Sequence, residues 1–298
     1  MKSGVVILYK DENVSSQGAV NRVKRLFGVQ KAGHTGTLDP LATGVLPVLI
    51  GRAVKASEYM ITEDKHYRAT ILLGITTDTE DITGTTLSES DRIPCEAAVL
   101  EAVKSKLGAS KQIPPMYSAI KRDGKKLYEL AREGKTVERE PRDIFIYGIA
   151  AEKINDREYT LDVHCSKGTY IRTLCADIGA ALGCGAVMKT LERTECAGFS
   201  LGDAHTVSEL EQMSDEQREA CVIPTERIFS DLKKITLTPF FARLARCGVE
   251  IYTKKIATTL PVGTRVTLFD ENGFFAIGEV RDFDDGVAIK PIKQFDIS

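Results

Sequence analysis

Residues 33–51 read GHTGTLDPLATGVLPVLIG. Asp39 is the only carboxylate in this stretch, and Gly33, Gly36 and Gly44 surround it. Glycines let backbone approach a ligand closely. Pro40 follows Asp39 directly and biases it towards an extended conformation. Asp-Pro is a helix-start signal, so the local reading makes Asp39 the N-cap of a short helix over Leu41–Leu46. A carboxylate at a helix N-terminus is favoured in its ionised form by the dipole. An ionised, fixed carboxylate is what covalent carboxylate catalysis requires.

The stretch from His34 through Asp39 to Pro47 resembles the catalytic motif of the TruB family, the tRNA pseudouridine-55 synthases. The resemblance continues at Gly51-Arg-Ala-Val-Lys55 and at Asp64-Lys-His-Tyr-Arg68. It returns at Gln112-Ile-Pro-Pro-Met-Tyr-Ser-Ala-Ile-Lys121, Gly124–Arg132 and Val137-Glu-Arg139. It ends with Gly168-Thr-Tyr-Ile-Arg-Thr-Leu174 and Leu191-Glu-Arg-Thr194, in the family's order over roughly residues 4–232. The resemblance implies an α+β pseudouridine synthase fold with a mixed, mainly antiparallel sheet.

The 298 residues are 43% hydrophobic, enough for a full core and against global disorder. No apolar run of about 18 residues occurs, so no membrane span is expected. The N-terminus lacks a secretory signal's length and reads as a first strand. Seven cysteines are scattered without a Cys-x-x-Cys pair, which points to buried thiols in a reducing cytoplasm and away from a disulfide framework or zinc site. No P-loop, dinucleotide fingerprint or metal-ligand spacing is present, so neither metal nor cofactor is expected.

A net charge of −2 argues by itself against a nucleic-acid binder. Its distribution argues otherwise. Residues 111–142 hold nine Lys/Arg and five Asp/Glu, and residues 17–68 hold eight and four. Residues 76–101 and 200–226 each hold seven acids and one base. Such segregation allows a basic face on a mildly acidic chain. Residues 111–142, with Tyr117 and Tyr128 among the cations, read as an insertion that clamps RNA through phosphate attraction and stacking.

Along the chain, Val5–Tyr9, Tyr67–Leu73, Ile144–Lys153 and Glu158–Cys165 read as strands. Residues Gly18–Phe27, Cys95–Leu107, Gly168 to about Leu182 and 206–220 read as helices, with 75–92 as a loop. After Asp231 the texture changes to short strands between Gly, Pro-Gly and Asn-Gly turns. The expected organisation is a catalytic domain over 1–232 and a small β domain over 233–298. By family position the latter is a PUA-like RNA-binding module.

Further roles follow from the resemblance alone. Asp39 is the nucleophile that attacks the target uridine, at C1′ or by another route to the separated base. Tyr67 stacks on the base near the departing C5 proton, although a phenol with a pKa of about 10 is a poor base. Arg172 pairs with Asp39, Tyr170 and Leu191 line the uridine pocket, and His34 stands beside a nucleotide flipped from the T-loop of tRNA. Lys10 is a substrate contact in the family's opening motif. That motif departs here as Lys10-Asp-Glu-Asn-Val-Ser-Ser16, which loses a proline and gains two acids. The expected partner is the tRNA T-arm, bound by a monomer. A non-catalytic tRNA-binding or folding protein on the same scaffold is the alternative, and the joint presence of Asp39, Tyr67 and Arg172 argues against it. An Asp-dependent hydrolase would need a second carboxylate or a metal beside Asp39, and the sequence offers no convincing partner.

Overall fold

The computed structural model describes residues 3–61, 64–122 and 124–295. The chain opens with β1 (Gly4–Lys10) and α1 (Ser16–Leu26), then β2 (Ala32–His34) and β3 (Thr43–Ile50). After α2 (Ser57–Met60) come β4 (Lys65–Leu73), β5 (Ile75–Thr77), β6 (Thr86–Glu89), α3 (Glu96–Lys104) and β7 (Gly108–Gln112). The basic excursion carries β8 (Lys121–Arg122), β9 (Lys125–Lys126) and α4 (Leu127–Arg132). Then follow β10 (Arg142–Lys153), β11 (Glu158–Cys165), α5 (Ile171–Leu182), β12 (Ala186–Cys196), β13 (Phe199–Ser200), α6 (Val207–Gln212) and α7 (Asp215–Ala220).

These strands form a sheet in the order β1-β3-β12-β4-β11-β10-β7, with β2 added to β3 and β13 to β12. Only β3 and β12 run parallel. The expected mixed, mainly antiparallel sheet is therefore present. Its first strand has no polar face. Val6 and Leu8 join the core beneath α1, α3 and α5, while Val5 and Ile7 face a second apolar cluster on the other side. A strand covered on both faces reads as an unbroken apolar run, as Val5–Leu8 does.

Three expectations are corrected. No helix follows Asp39, because Thr43–Ile50 is a strand paired with β1 along its whole length, from Gly4↔Ile50 to Lys10↔Gly44. Burial of this apolar run between neighbours outweighs the local Asp-Pro signal, and Gly44 at φ +100° is incompatible with a helix. Residues 75–92 are not simply a loop, since β5 and β6 pair as a hairpin. The basic excursion is shorter than expected. Lys111, Gln112 and Arg142 are sheet residues, with Gln112 opposite Arg142, so the excursion spans 113–141.

The last segment contains β14 (Lys233–Thr236), α8 (Pro239–Arg246), β15 (Ile251–Tyr252), β16 (Arg265–Asp270), β17 (Gly273–Phe283) and β18 (Gly286–Gln294). Its five strands form a separate sheet, β14-β16-β17-β18-β15, with its own core of Leu237, Val266, Leu268, Phe275 and Val280. This small sheet does not stand apart from the large one. Ile277 and Phe295 are buried against Val5, Ile7, Leu49 and Phe229. Among the described residues no helix is long and apolar enough to cross a membrane.

Candidate active site

The loop carrying Asp39 is pinned on both sides of that residue. Buried Ser16 accepts from the Leu38 amide at 2.8 Å and donates to the Leu38 carbonyl at 2.9 Å. On the other side the Pro40 carbonyl accepts from the Asn13 amide at 2.8 Å and from Lys10 Nζ at 3.2 Å. The Ala42 amide closes a turn on the Asp39 carbonyl at 3.0 Å. Gly44 is required beyond its φ, because a Cβ there would lie 2.3 Å from the Arg193 carbonyl oxygen on β12.

Arg172, in the first turn of α5, faces this loop and is 4% exposed. Its Nε lies 2.9 Å from Asp39 Oδ2 and its Nη2 3.4 Å from Oδ1. The remaining donors reach the Thr79 carbonyl at 3.0 Å and the Tyr117 carbonyl at 2.8 Å. The guanidinium therefore ties the Asp39 loop to the 79–81 turn and to the basic excursion. Burial pushes the Asp39 carboxyl above its ordinary value, and Arg172 opposes that shift. The ion pair, not a helix dipole, is what favours the carboxylate.

Gln112 orients the start of α5. Its Oε1 accepts from the Tyr170 amide at 2.8 Å, and its Nε2 donates to the Tyr170 carbonyl at 3.0 Å. Tyr67 and Leu191 approach from the sheet, on the adjacent strands β4 and β12, and are 8% and 7% exposed. Burial pushes the Tyr67 phenol up to about 12, with Arg193 opposing. At neutral pH the phenol keeps its proton.

These groups share one cavity of about 510 Å³. Asp39, Tyr67, Tyr170, Arg172 and Leu191 all line it. Two expected site residues do not. Lys10 is 1% exposed, and its Nζ donates to the carbonyls of Asp11, Val14 and Pro40. It braces the Asp39 turn from behind, and burial lowers its pKa to about 8. His34 lies on β2 outside the lining, with Nδ1 buried and unpartnered. Burial, with nearby Arg193, lowers its pKa.

Several functional residues escaped the sequence reading. Arg193 is 1% exposed, lines the cavity and donates to the Val45 and Gly36 carbonyls at 2.7 and 3.2 Å. It lies inside the quoted Leu191–Thr194 stretch, as Gln112 lies inside Gln112–Lys121. Asp81 is the second carboxylate that the sequence did not reveal, with Oδ2 3.7 Å from Arg172 Nη1. It bonds Thr79 and Thr83 and does not line the cavity, so it does not form a two-carboxylate site with Asp39. Among the described residues no cluster of His, Cys, Asp or Glu is arranged to hold a metal ion.

The family model described as TruB family pseudouridylate synthase (N terminal domain) matches residues 24–171. The model for the tRNA pseudouridylate synthase B C-terminal domain matches residues 172–230. The chain belongs to the TruB family. Its similarity to individual members is nearly full-length. It is 41% identical to the tRNA pseudouridine synthase B of Clostridium tetani (strain Massachusetts / E88), covering 93% of this chain and 95% of that protein. It is 43% identical to the protein of that name from Francisella tularensis subsp. novicida (strain U112), covering 99% and 95%. Among solved structures, a chain of a Cbf5-Nop10-Gar1 complex superposes with a TM-score of 0.71 at 25% identity, covering 98% of this chain and 85% of that one. Members of the TruB family are isomerases, and the pseudouridine synthase fold expected from the motifs is the fold observed.

Proposed function

We propose that the protein converts a uridine in the T-loop of tRNA, uridine 55, to pseudouridine, with Asp39 as nucleophile. The observation that carries this reading is the Asp39–Arg172 pair at the wall of a cavity that Tyr67, Tyr170 and Leu191 also line. The names of the TruB relatives support tRNA as the substrate. The T-loop uridine unstacks and enters the cavity at a cost of a few kcal/mol. Asp39 attacks C1′ as the N1–C1′ bond breaks, and the bond's electron pair goes to the uracil. The base turns, C5 bonds to C1′, and the Asp39 oxygen leaves. C5 loses a proton and N1 gains one, so reactant and product are isomers. Arg172 keeps Asp39 ionised and aimed. The Tyr67 ring stacks on the base, and its neutral hydroxyl passes a proton rather than acting as a phenolate.

The excursion over 113–141 clamps the T-arm, and residues 233–298 add grip as a PUA-like module on the catalytic part, 1–232. The enzyme acts as a monomer in the cytoplasm, a compartment that suits its free cysteines. The test is incubation with an unmodified tRNA transcript and with an isolated T stem-loop, followed by carbodiimide–primer extension. A stop at uridine 55 in both substrates is expected. A stop elsewhere, or none, overturns the reading.

A further inference from the structure

The cavity changes character from floor to mouth. Its floor holds Tyr67, Leu191 and Arg193, all buried. Its rim holds the exposed Thr37, Arg142, Asp143 and Lys167, together with Ile61. Ile61 is 46% exposed, and among the described lining residues it is the one large apolar side chain left exposed. Single exposed apolar residues are common on any surface, so its place at the mouth and its support are what distinguish it. Polar groups at a rim suit water and an RNA backbone. An isoleucine among them presents apolar surface that gains by being covered.

Ile61 is also held from behind. It follows directly on α2, and its amide donates to the Ser57 carbonyl at 3.1 Å. Met60, just before it, is 2% exposed. Tyr59 meets the Phe229 ring edge-on with centroids 5.1 Å apart, and Phe229 packs on Phe274 and Phe295 of the last segment. Two polar latches join the same stretch to β18. Lys293 Nζ lies 2.6 Å from Glu58 Oε1, and Lys55 Nζ donates to the Gln294 carbonyl at 3.0 Å. The latches are exposed and weak, so the aromatic cluster is the main support. A side chain that pushes between stacked bases needs such a backing, because a yielding turn would give way first.

We propose that Ile61 is a wedge: as the target uridine swings into the cavity, the isoleucine enters the space the base leaves in the RNA stack and packs on its former neighbours. This deepens the proposed pseudouridine reaction and rests on it. Extruding a base costs unstacking energy, and inserted apolar side chains, isoleucine among them, offset such costs where proteins open base steps. Ile61 is placed for this task. It stands at the mouth and precedes β4, whose Tyr67 on the cavity floor is proposed to stack on the extruded base. His34, expected beside the flipped nucleotide, lies outside the lining. The wedge makes and breaks no covalent bond, and it acts on the step before Asp39 attacks.

The experiment uses the full chain and synthetic T stem-loops under single turnover. One RNA is unaltered. A second has an abasic residue on the 3′ side of the target uridine, which removes that stacking partner, and a third has 2-aminopurine there to report unstacking by fluorescence. Ile61→Ala is expected to slow pseudouridine formation on the unaltered RNA about 10–100-fold, the share of the unstacking cost no longer offset. On the abasic RNA the defect relative to wild type should shrink to about threefold or less, because less stacking has to be broken. The 2-aminopurine signal should rise on binding wild type and rise less with Ile61→Ala. Ile61→Met, long and apolar, should keep most of the rate, and the polar Ile61→Asn should not. An Ile61→Ala rate equal to wild type, equal defects on the unaltered and abasic RNAs, or equal fluorescence from both enzymes overturns the wedge. If Ile61→Ala melts early, the pair Ile61→Met and Ile61→Asn decides, and equal rates from the two overturn the proposal. Failure of wild type to modify the unaltered stem-loop would instead overturn the proposed function.

Discussion

Arg172 and Asp39 are 133 positions apart in the chain, yet they meet edge to edge, with Nε to Oδ2 at 2.9 Å and Nη2 to Oδ1 at 3.4 Å. The geometry is a fork on a carboxylate, and an ammonium cannot reproduce it. Arg172→Lys should therefore retain tRNA affinity while its rate falls about 10²-fold, the scale of a small misplacement at the reacting centre. Single-turnover rates alongside filter-binding constants test this. A variant as fast as wild type would mean that the fork does not position the nucleophile.

The pH profile has a defined sign. Burial places the Asp39 carboxyl above its ordinary 3.8, and only the ionised form attacks C1′. The rate should fall as pH drops, with its midpoint above that value. The Tyr67 phenol, pushed up to about 12, contributes no limb in the neutral and mildly alkaline range. Tyr67→Phe keeps the ring and removes the hydroxyl. It should lower the rate about 10²–10⁴-fold, the range for lost proton transfer, with Kd unchanged. A loss of affinity alone would confine the hydroxyl to binding.

Lys10 tests the difference between gripping RNA and bracing a loop. Its ammonium satisfies three main-chain carbonyls, one of them on Pro40, next to the nucleophile. Lys10→Met should cost about 1–3 kcal/mol, as expected for unsatisfied buried acceptors. It should slow the reaction through a loosened Asp39 turn and leave the salt dependence of tRNA binding unchanged. A reduced salt slope would return Lys10 to the RNA interface.

The two sheets are coupled through Ile277 and Phe295, buried against Val5, Ile7, Leu49 and Phe229. Burial of each such side chain is worth about 1.5–3 kcal/mol. Phe241 and Leu244 of α8 pack instead on the small sheet's own core, and Phe240 is exposed. A 1–231 fragment should thus uncover an apolar patch, melt below the full chain and self-associate in light scattering. A monomeric fragment with unchanged melting would show that the shared cluster contributes little.

How much of this was legible in the sequence differs from residue to residue. Motif residues with chemistry of their own (Asp39, Tyr67, Tyr170, Arg172 and Leu191) were readable, and the fold brings all five to one cavity. Residues that act by bonding backbone were not. The three carbonyl partners of Lys10 lie outside any local pattern, and Gln112 and Ser16, though inside quoted motifs, show no backbone-bonding role in the sequence. Asp81 reaches Arg172 only because the 79–81 turn folds over α5. The false helix after Asp39 has a similar origin, since Asp-Pro is local information and pairing with β1 is not. The core strands and long helices were legible because their hydrophobic pattern is set by burial itself.

The central claim, that Asp39 is the covalent nucleophile, is tested most directly by Asp39→Asn. The amide keeps the shape of the carboxylate and removes the nucleophile. Purified variant and wild type would be incubated in excess with an unmodified tRNA transcript, and pseudouridine scored by carbodiimide–primer extension while filter binding gives Kd. The account predicts no pseudouridine from Asp39→Asn at any time point and a Kd close to wild type. Pseudouridine formed by the variant at a rate comparable to wild type would contradict it.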